Sequence, residues 1–226
     1  MLAIPGTCWL CRMPLAVARW GICSRCASSL RPPVCCPQCG LPAAHTALPC
    51  GRCLQKPPPW QRLTFISDYT APLSGLVHQL KFQRQTTLAP ALARLLLLRV
   101  LAAKRQGALP PVDCLVSVPL HRRRAWRRGY NQSELLARML ARWLECAYQP
   151  AMVTRTRPTP AQRQLSARLR RRNLNNAFRL ELPVKGLHIV IVDDVVTTGS
   201  TVAQIARLLM RNGAATVQVW CLCRTL

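Results

Sequence analysis

The segment 188–201 constrains the fold of this chain more than any other part of the sequence. It begins with an apolar run that favours a strand buried on both faces, as in a parallel sheet. Two adjacent carboxylates, Asp193 and Asp194, follow the run, and a loop rich in hydroxyl groups leads into a predicted helix. Strand, loop and helix in this order predict an open α/β sheet with a ligand site at the carboxyl end of this strand.

The loop after the acidic pair has the chemistry of an anion site. Backbone N–H groups at a helix N-terminus attract negative charge, and Gly199 lets the backbone approach a ligand closely. The carboxylates repel a bare phosphate but suit the diol of a phosphorylated sugar with a divalent cation nearby. A P-loop is excluded because no Gly-Lys-Ser/Thr follows. The alternative is an ordinary strand–turn–helix with a chance acidic pair.

Thirteen consecutive residues, 189–201, resemble the phosphoribosyl-diphosphate (PRPP) signature of type I phosphoribosyltransferases. The resemblance implies that Asp193 and Asp194 are the catalytic pair and meet the ribose hydroxyl groups, with Mg²⁺ accompanying PRPP. It also implies that the 5′-phosphate is held by Val196, Thr197, Thr198, Gly199, Ser200 and Thr201.

Four Cys-x-x-Cys pairs near the amino terminus predict a metal-binding module. Two residues between thiols let one turn present both sulfurs to a tetrahedral ion. We expect two structural Zn²⁺ sites, in which the first Cys-x-x-Cys pair combines with the second and the third with the fourth; an interleaved arrangement of the pairs is the alternative. Disulfides are the alternative, which a reducing compartment disfavours. The expected ligands are Cys8, Cys11, Cys23, Cys26, Cys36, Cys39, Cys50 and Cys53.

The pattern predicts a double zinc-ribbon module over residues 1–55, a proline-rich linker over 56–62 and a phosphoribosyltransferase-like domain over 63–226. Alternating elements in the last part predict a doubly wound parallel sheet. The expected strands are 63–69, 114–118, 189–192 and 216–222, and the expected helices are 73–82, 88–104, 133–144 and 201–210.

The apolar run 88–103 contains Arg94 and Arg99 and is expected to be too short to span a bilayer. We see no secretory signal. The sequence therefore predicts a cytoplasmic protein without a transmembrane segment.

The charge is strongly positive, with 32 Lys and Arg against 7 Asp and Glu. Arginine dominance favours bidentate phosphate contacts. Residues 121–180 hold 15 Arg and 2 Glu, with aromatic side chains among them. A solvated basic face is the alternative to single-strand binding with base stacking. The candidates for diphosphate or nucleic-acid contacts are Arg122, Arg123, Arg124, Trp126, Arg127, Arg128, Tyr130, Arg168 and Arg171.

The cysteine pairs, the motif at 128–132, the segment 164–178 and the acidic signature together resemble the ComF/GntX family, from Cys8 to the carboxyl end. The resemblance implies a role in uptake or utilization of external DNA. The charge distribution favours single-stranded DNA held by the zinc module and the Arg-rich face. The resemblance also implies a flexible loop over 154–176 and DNA-uptake machinery at the inner membrane as a partner. An active phosphoribosyltransferase acting on a nitrogenous base is the alternative, and the oligomeric state is left open.

Overall fold

A computed structural model describes residues 6–120, 128–156 and 177–225. The strands are β1 (Arg62–Asp68), β2 (Cys114–Ser117), β3 (Ala147–Tyr148), β4 (Val153–Arg155), β5 (Phe178–Leu180), β6 (His188–Val196) and β7 (Thr216–Arg224). The α-helices are α1 (Ser24–Ser29), α2 (Gly51–Gln55), α3 (Leu73–Phe82), α4 (Ala89–Arg105), α5 (Gln132–Leu144) and α6 (Ser200–Arg211). Short 3₁₀ turns lie at Ala18–Trp20 and Thr86–Leu88.

The central sheet is parallel and has the order β1-β7-β6-β2-β3. Its middle strand, β6, alternates between two cores, because successive side chains point to opposite faces. Ile189 and Ile191 pack into one core, and Val190 and Val192 pack into the other. Both faces are therefore covered, which explains the continuous apolar run.

Helices cover both faces of the sheet, so the doubly wound architecture is confirmed. Residues of α3, α4 and α5 form the core on one face, and α6 with the antiparallel pair β4–β5 packs on the other. Trp143 of α5 is 42% exposed. The helix instead buries Ala137 and Ala141, whose small side chains permit close packing.

The first half of the cysteine region shares the core of α3, α4 and α5. Cys8, Leu15, Ile22 and Leu30 belong to that core, and the Arg94 guanidinium donates to the Ile22 carbonyl over 3.4 Å. Apolar burial against α4 therefore supports this region in addition to any metal.

Within the described part of the chain, one helical segment, Thr86–Arg105, is long and apolar enough to cross a membrane by length and composition alone. It has 20 residues, so the expectation that it is too short is wrong. Core helices pass the same test, and this one buries Leu92, Leu96 and Val100 in the protein.

Candidate functional site

The acidic pair lies inside β6, because the strand continues to Val196 instead of ending at Val192. Adjacent strand residues point to opposite faces, so the two carboxylates have different surroundings. Asp194 is 3% exposed, whereas Asp193 is only partly buried. The pair therefore offers one inner and one outer carboxylate.

Asp194 is fully partnered. Its Oδ2 atom lies 2.8 Å from Lys81 Nζ and accepts a hydrogen bond of 2.9 Å from Gln132 Nε2. Its Oδ1 atom accepts from the Val195 N–H over 2.7 Å. A buried carboxylate needs such partners, and these three contacts fix the inner carboxylate in place.

Asp193 faces the open side of the site. Its Oδ1 atom accepts hydrogen bonds from the Ser133 hydroxyl over 3.1 Å and from the Asp194 N–H over 2.9 Å. Burial and then the Asp194 charge raise the pKa of Asp193 to about 7, against the opposing effects of Lys81 and the two hydrogen bonds. A nearby cation would stabilise the ionised form of Asp193 and lower its pKa.

The motif at 128–132 holds the start of α5 against the acidic pair. Asn131 caps the helix, since its Oδ1 accepts from the Ser133 N–H over 3.1 Å. Arg128 Nη1 donates to Gln132 Oε1 over 2.6 Å, and the Tyr130 hydroxyl donates to the Leu80 carbonyl. In this arrangement Arg128 and Tyr130 position the site.

Sequence reasoning missed three partners of the acidic pair. Gln132 and Ser133 stand in or beside the recognised motif, which was the available signal for them. Lys81 lies in the last turn of α3, an ordinary amphipathic helix, and no local pattern marks it.

The loop at 197–199 joins the acidic pair to the N-terminus of α6. Gly199 has φ +72°, a backbone conformation that favours glycine. The Thr198 and Ser200 hydroxyl groups lie 2.8 Å apart, and the first turn of α6 holds no acidic residue. A small cavity is lined by Asp193 and residues 195–202. The loop therefore brings N–H groups, hydroxyl groups and one carboxylate to a single hollow.

The predicted phosphate-binding residues differ in exposure. Thr197 and Thr198 are exposed, Gly199, Ser200 and Thr201 are partly buried, and Val196 is buried with its side chain in the core. Val196 thus supports the loop from below. The other basic and aromatic candidates lie outside the described residues: Arg122, Arg123, Arg124, Trp126, Arg127, Arg168 and Arg171.

The eight cysteines form two clusters, each with four sulfur atoms within 4.8 Å of one another. The first cluster is Cys8, Cys11, Cys23 and Cys26, and the second cluster is Cys36, Cys39, Cys50 and Cys53. Adjacent pairs therefore combine sequentially, as expected.

The sulfur geometry of the clusters fits Zn²⁺. Four thiolates at about 2.3 Å from a tetrahedral ion lie about 3.8 Å apart. The measured separations are 3.8 Å for Cys11–Cys23, Cys36–Cys53 and Cys39–Cys50. A disulfide needs about 2.0 Å, so the described thiols are free.

Hydrogen bonds from backbone N–H groups also favour the thiolate form of these cysteines, which is the form that binds a cation. Burial acts to raise the pKa of the Cys8 thiol, but N–H groups of Cys11, Cys23 and Leu10 outweigh it and lower the pKa to about 6. The Cys50 N–H donates to Cys36 Sγ over 3.3 Å in the second cluster.

Part of the chain is similar to known phosphoribosyltransferase domains. A family model described as the phosphoribosyl transferase domain matches residues 131–226. An adenine phosphoribosyltransferase structure from Leishmania donovani has a TM-score of 0.38 and 17% identity, covering 72% of this chain and 71% of that one.

Two curated relatives match along nearly the whole chain. DNA utilization protein YhgH from Salmonella typhi is 70% identical over 227 residues, covering 100% of both chains. Competence protein F from Haemophilus influenzae is 42% identical over 222 residues, covering 96% of each. With full-length similarity of this degree, the chain belongs to the ComF/GntX family of proteins with a phosphoribosyltransferase domain.

Proposed function

We propose that the protein binds a 5′-phosphoribosyl ligand, PRPP with Mg²⁺, between the acidic pair and the loop before α6. One observation carries this proposal: a single cavity joins the outer carboxylate, Asp193, to the hydroxyl-rich loop at a helix N-terminus. Such a combination suits a sugar diol at one end and a phosphate at the other.

Each group has a distinct task in this proposal. The N–H and hydroxyl groups of the loop bind the 5′-phosphate, favoured by the positive end of α6. Asp193 accepts hydrogen bonds from the ribose hydroxyl groups and ionises as the ligand and its cation arrive. Asp194 holds Lys81 and Gln132 in place beneath it. Mg²⁺, when bound, neutralises part of the diphosphate charge.

Thermal unfolding with PRPP and Mg²⁺ tests this site. A ligand present at about 100 times its Kd stabilises the protein by about 2.7 kcal/mol, which raises Tm by about 5–10 °C for a chain of this size. The double variant Asp193→Asn/Asp194→Asn should lose the shift. Asp113→Asn is the matched control, because Asp113 accepts the His188 N–H at the other end of the strands. If wild type shows no shift, the proposed ligand is wrong.

We propose further that the protein acts in DNA utilization in the cytoplasm and binds single-stranded DNA. The names of the two full-length relatives support the first part. The charge distribution supports the second, since residues 121–180 carry 15 of the chain's arginines and only 2 Glu. The two cysteine clusters would hold Zn²⁺ in a module over 1–55, joined by the 56–62 linker to the domain over 63–226. DNA-uptake machinery at the inner membrane is the proposed partner.

The salt dependence of oligonucleotide binding tests the DNA proposal. Each phosphate contact contributes about 0.7 to the slope of log K against log salt for single strands. Replacing Arg122, Arg123 and Arg124 by Gln should lower the slope by about 2. The control removes three exposed arginines elsewhere: Arg105, Arg207 and Arg211. A wild-type affinity that does not change with salt, or equal losses in both triple variants, contradicts the proposal.

An active phosphoribosyltransferase is the second candidate, favoured by the partly buried carboxylate whose pKa is raised to about 7 in a cleft. The reaction would form a bond between ribose C1 and a ring nitrogen and break the bond from C1 to diphosphate. Positioning and charge stabilisation would suffice, without a protein nucleophile. Base-dependent release of diphosphate by wild type, absent in Asp193→Asn, would support this activity, and no release with any base would exclude it for the bases assayed.

A further inference from the structure

Arg224, at the end of β7, connects the second cluster with the loop before α6. Its side chain is buried, with the residue 7% exposed. Nε donates to the Cys39 carbonyl over 2.9 Å, and Nη1 donates to the Val196 carbonyl over 3.1 Å and to the Thr197 carbonyl. The guanidinium of Arg224 thus donates hydrogen bonds both to the turn that carries Cys39 and to the segment that begins the loop before α6.

Trp60 forms a second connection between the same two parts. Its Nε1–H donates to the Gln38 carbonyl, inside the turn of the second cluster, over 2.7 Å. Its ring lies against the loop, because a Cβ atom at Gly199 would be 3.2 Å from it. A Cβ atom at Gly40, in the same turn, would be 3.3 Å from Arg224 Cγ. The cluster, the two side chains and the loop are therefore packed together.

The charge of Arg224 also points to the second cluster. The ion pairs among the described residues do not include Arg224, although its side chain is buried. A divalent ion held by four thiolates carries a net charge of about −2. The metal-loaded second cluster thus supplies the negative charge that a buried arginine requires.

We infer that Arg224 is a positioning residue through which the metal-loaded second cluster holds the loop before α6 in its ligand-binding conformation. The identity of that ligand as PRPP rests on the proposed function. The first cluster serves as an internal control, because, within the described residues, the chain around it packs against α4 and not against the loop. Gly21 shows this contact, since a Cβ atom there would be 2.6 Å from Ala91 Cβ in α4.

Hydrogen exchange of the full-length, zinc-loaded protein tests this inference by following the backbone amides of residues 197–201. Losing charge-assisted hydrogen bonds should speed their exchange about tenfold to a hundredfold in Arg224→Gln. The variant Cys39→Ser/Cys50→Ser should do the same, whereas the matched variant Cys11→Ser/Cys23→Ser should leave these amides at the wild-type rate. Unchanged exchange in Arg224→Gln, or equal acceleration by both cysteine variants, overturns the inference.

Arg224→Lys keeps the test decisive if a cysteine variant does not fold. Lysine retains the buried charge but is a point donor that cannot reproduce the arginine fork. Faster exchange of the loop amides at a nearly unchanged Tm supports the inference. Exchange at the wild-type rate would show that the fork does not hold the loop, which refutes it.

The same experiment separates this inference from the proposed ligand. Exchange in the ligand-free protein does not depend on PRPP. If Arg224→Gln speeds exchange in the loop but PRPP never protects the wild-type loop, the proposed ligand fails and the connection stands. If PRPP protects the loop equally in wild type and Arg224→Gln, and their ligand-free exchange is also equal, the connection fails and the ligand stands.

Discussion

Replacing Asp193 by Asn should stabilise the ligand-free protein, and the gain should grow with pH. Burial and the neighbouring Asp194 charge raise the pKa of Asp193 from 3.8 to about 7. Between these values the unfolded chain has released the proton and the folded protein still holds it. Stability therefore falls as pH rises through this window and remains lower above it. Asparagine removes the titration but keeps an oxygen to accept from Ser133 and from the Asp194 N–H.

The size of the effect follows from the two pKa values. A difference of about three pKa units is worth on the order of 4 kcal/mol above pH 8, and roughly 2 kcal/mol of it has developed at pH 5. For a chain of this size 1 kcal/mol moves Tm by about 2–4 °C. The Tm difference between Asp193→Asn and wild type should therefore widen by about 4–8 °C from pH 5 to pH 8.

Calorimetry of both proteins, without Mg²⁺ or chelator, measures this difference, and any effect of pH on the cysteine clusters is common to both. Thr198→Ala is the control, since it changes the same loop without removing a carboxylate and should differ from wild type equally at all pH values. A constant difference for Asp193→Asn, or a variant less stable than wild type at pH 8, would refute the reasoning.

Three further predictions follow from the contacts of the site and the cysteine clusters. Lys81→Met leaves the buried Asp194 carboxylate without its ion pair and should cost about 2–4 kcal/mol in urea unfolding. Lys104→Met, at an exposed position of α4, should cost little, and equal costs would contradict the assignment. Gly199→Ala should abolish the PRPP-dependent rise in Tm, while Gly107→Ala, which also has positive φ but open space around it, should lose stability only. Removing about two Zn²⁺ per chain with a strong chelator should expose the cysteine-rich first third to protease and leave the sheet resistant; if that region stays ordered without metal, the zinc assignment is wrong.

The periodic and closely spaced features of this chain were predictable from its sequence. Helix α3 has the expected bounds, Leu73–Phe82, and its leucine and valine residues are buried. The cysteine clusters follow from the spacing of thiols in single turns. Such features depend on neighbours within a few residues, and local patterns report these well.

The remaining features depend on contacts between distant parts of the chain. Aspartate is depleted in strands, so β6 was expected to end at Val192, yet pairing with β7 extends it to Val196. Arg224 meets Cys39 across 185 residues, and no local pattern marks either one as a partner. The strands β3, β4 and β5 have two or three residues each, too few for a period to appear.

The position of β7 affects the order in which the protein can assemble. This strand lies between β1 and β6, so β1 joins the sheet only through a strand that follows all the others of that sheet in the described sequence. A nascent chain on the ribosome can load metal and build α3 and α4 against the first cluster. Strand β1 cannot pair within the sheet until β7 has emerged, so the loop before α6 gains its contacts with Arg224 only at that stage.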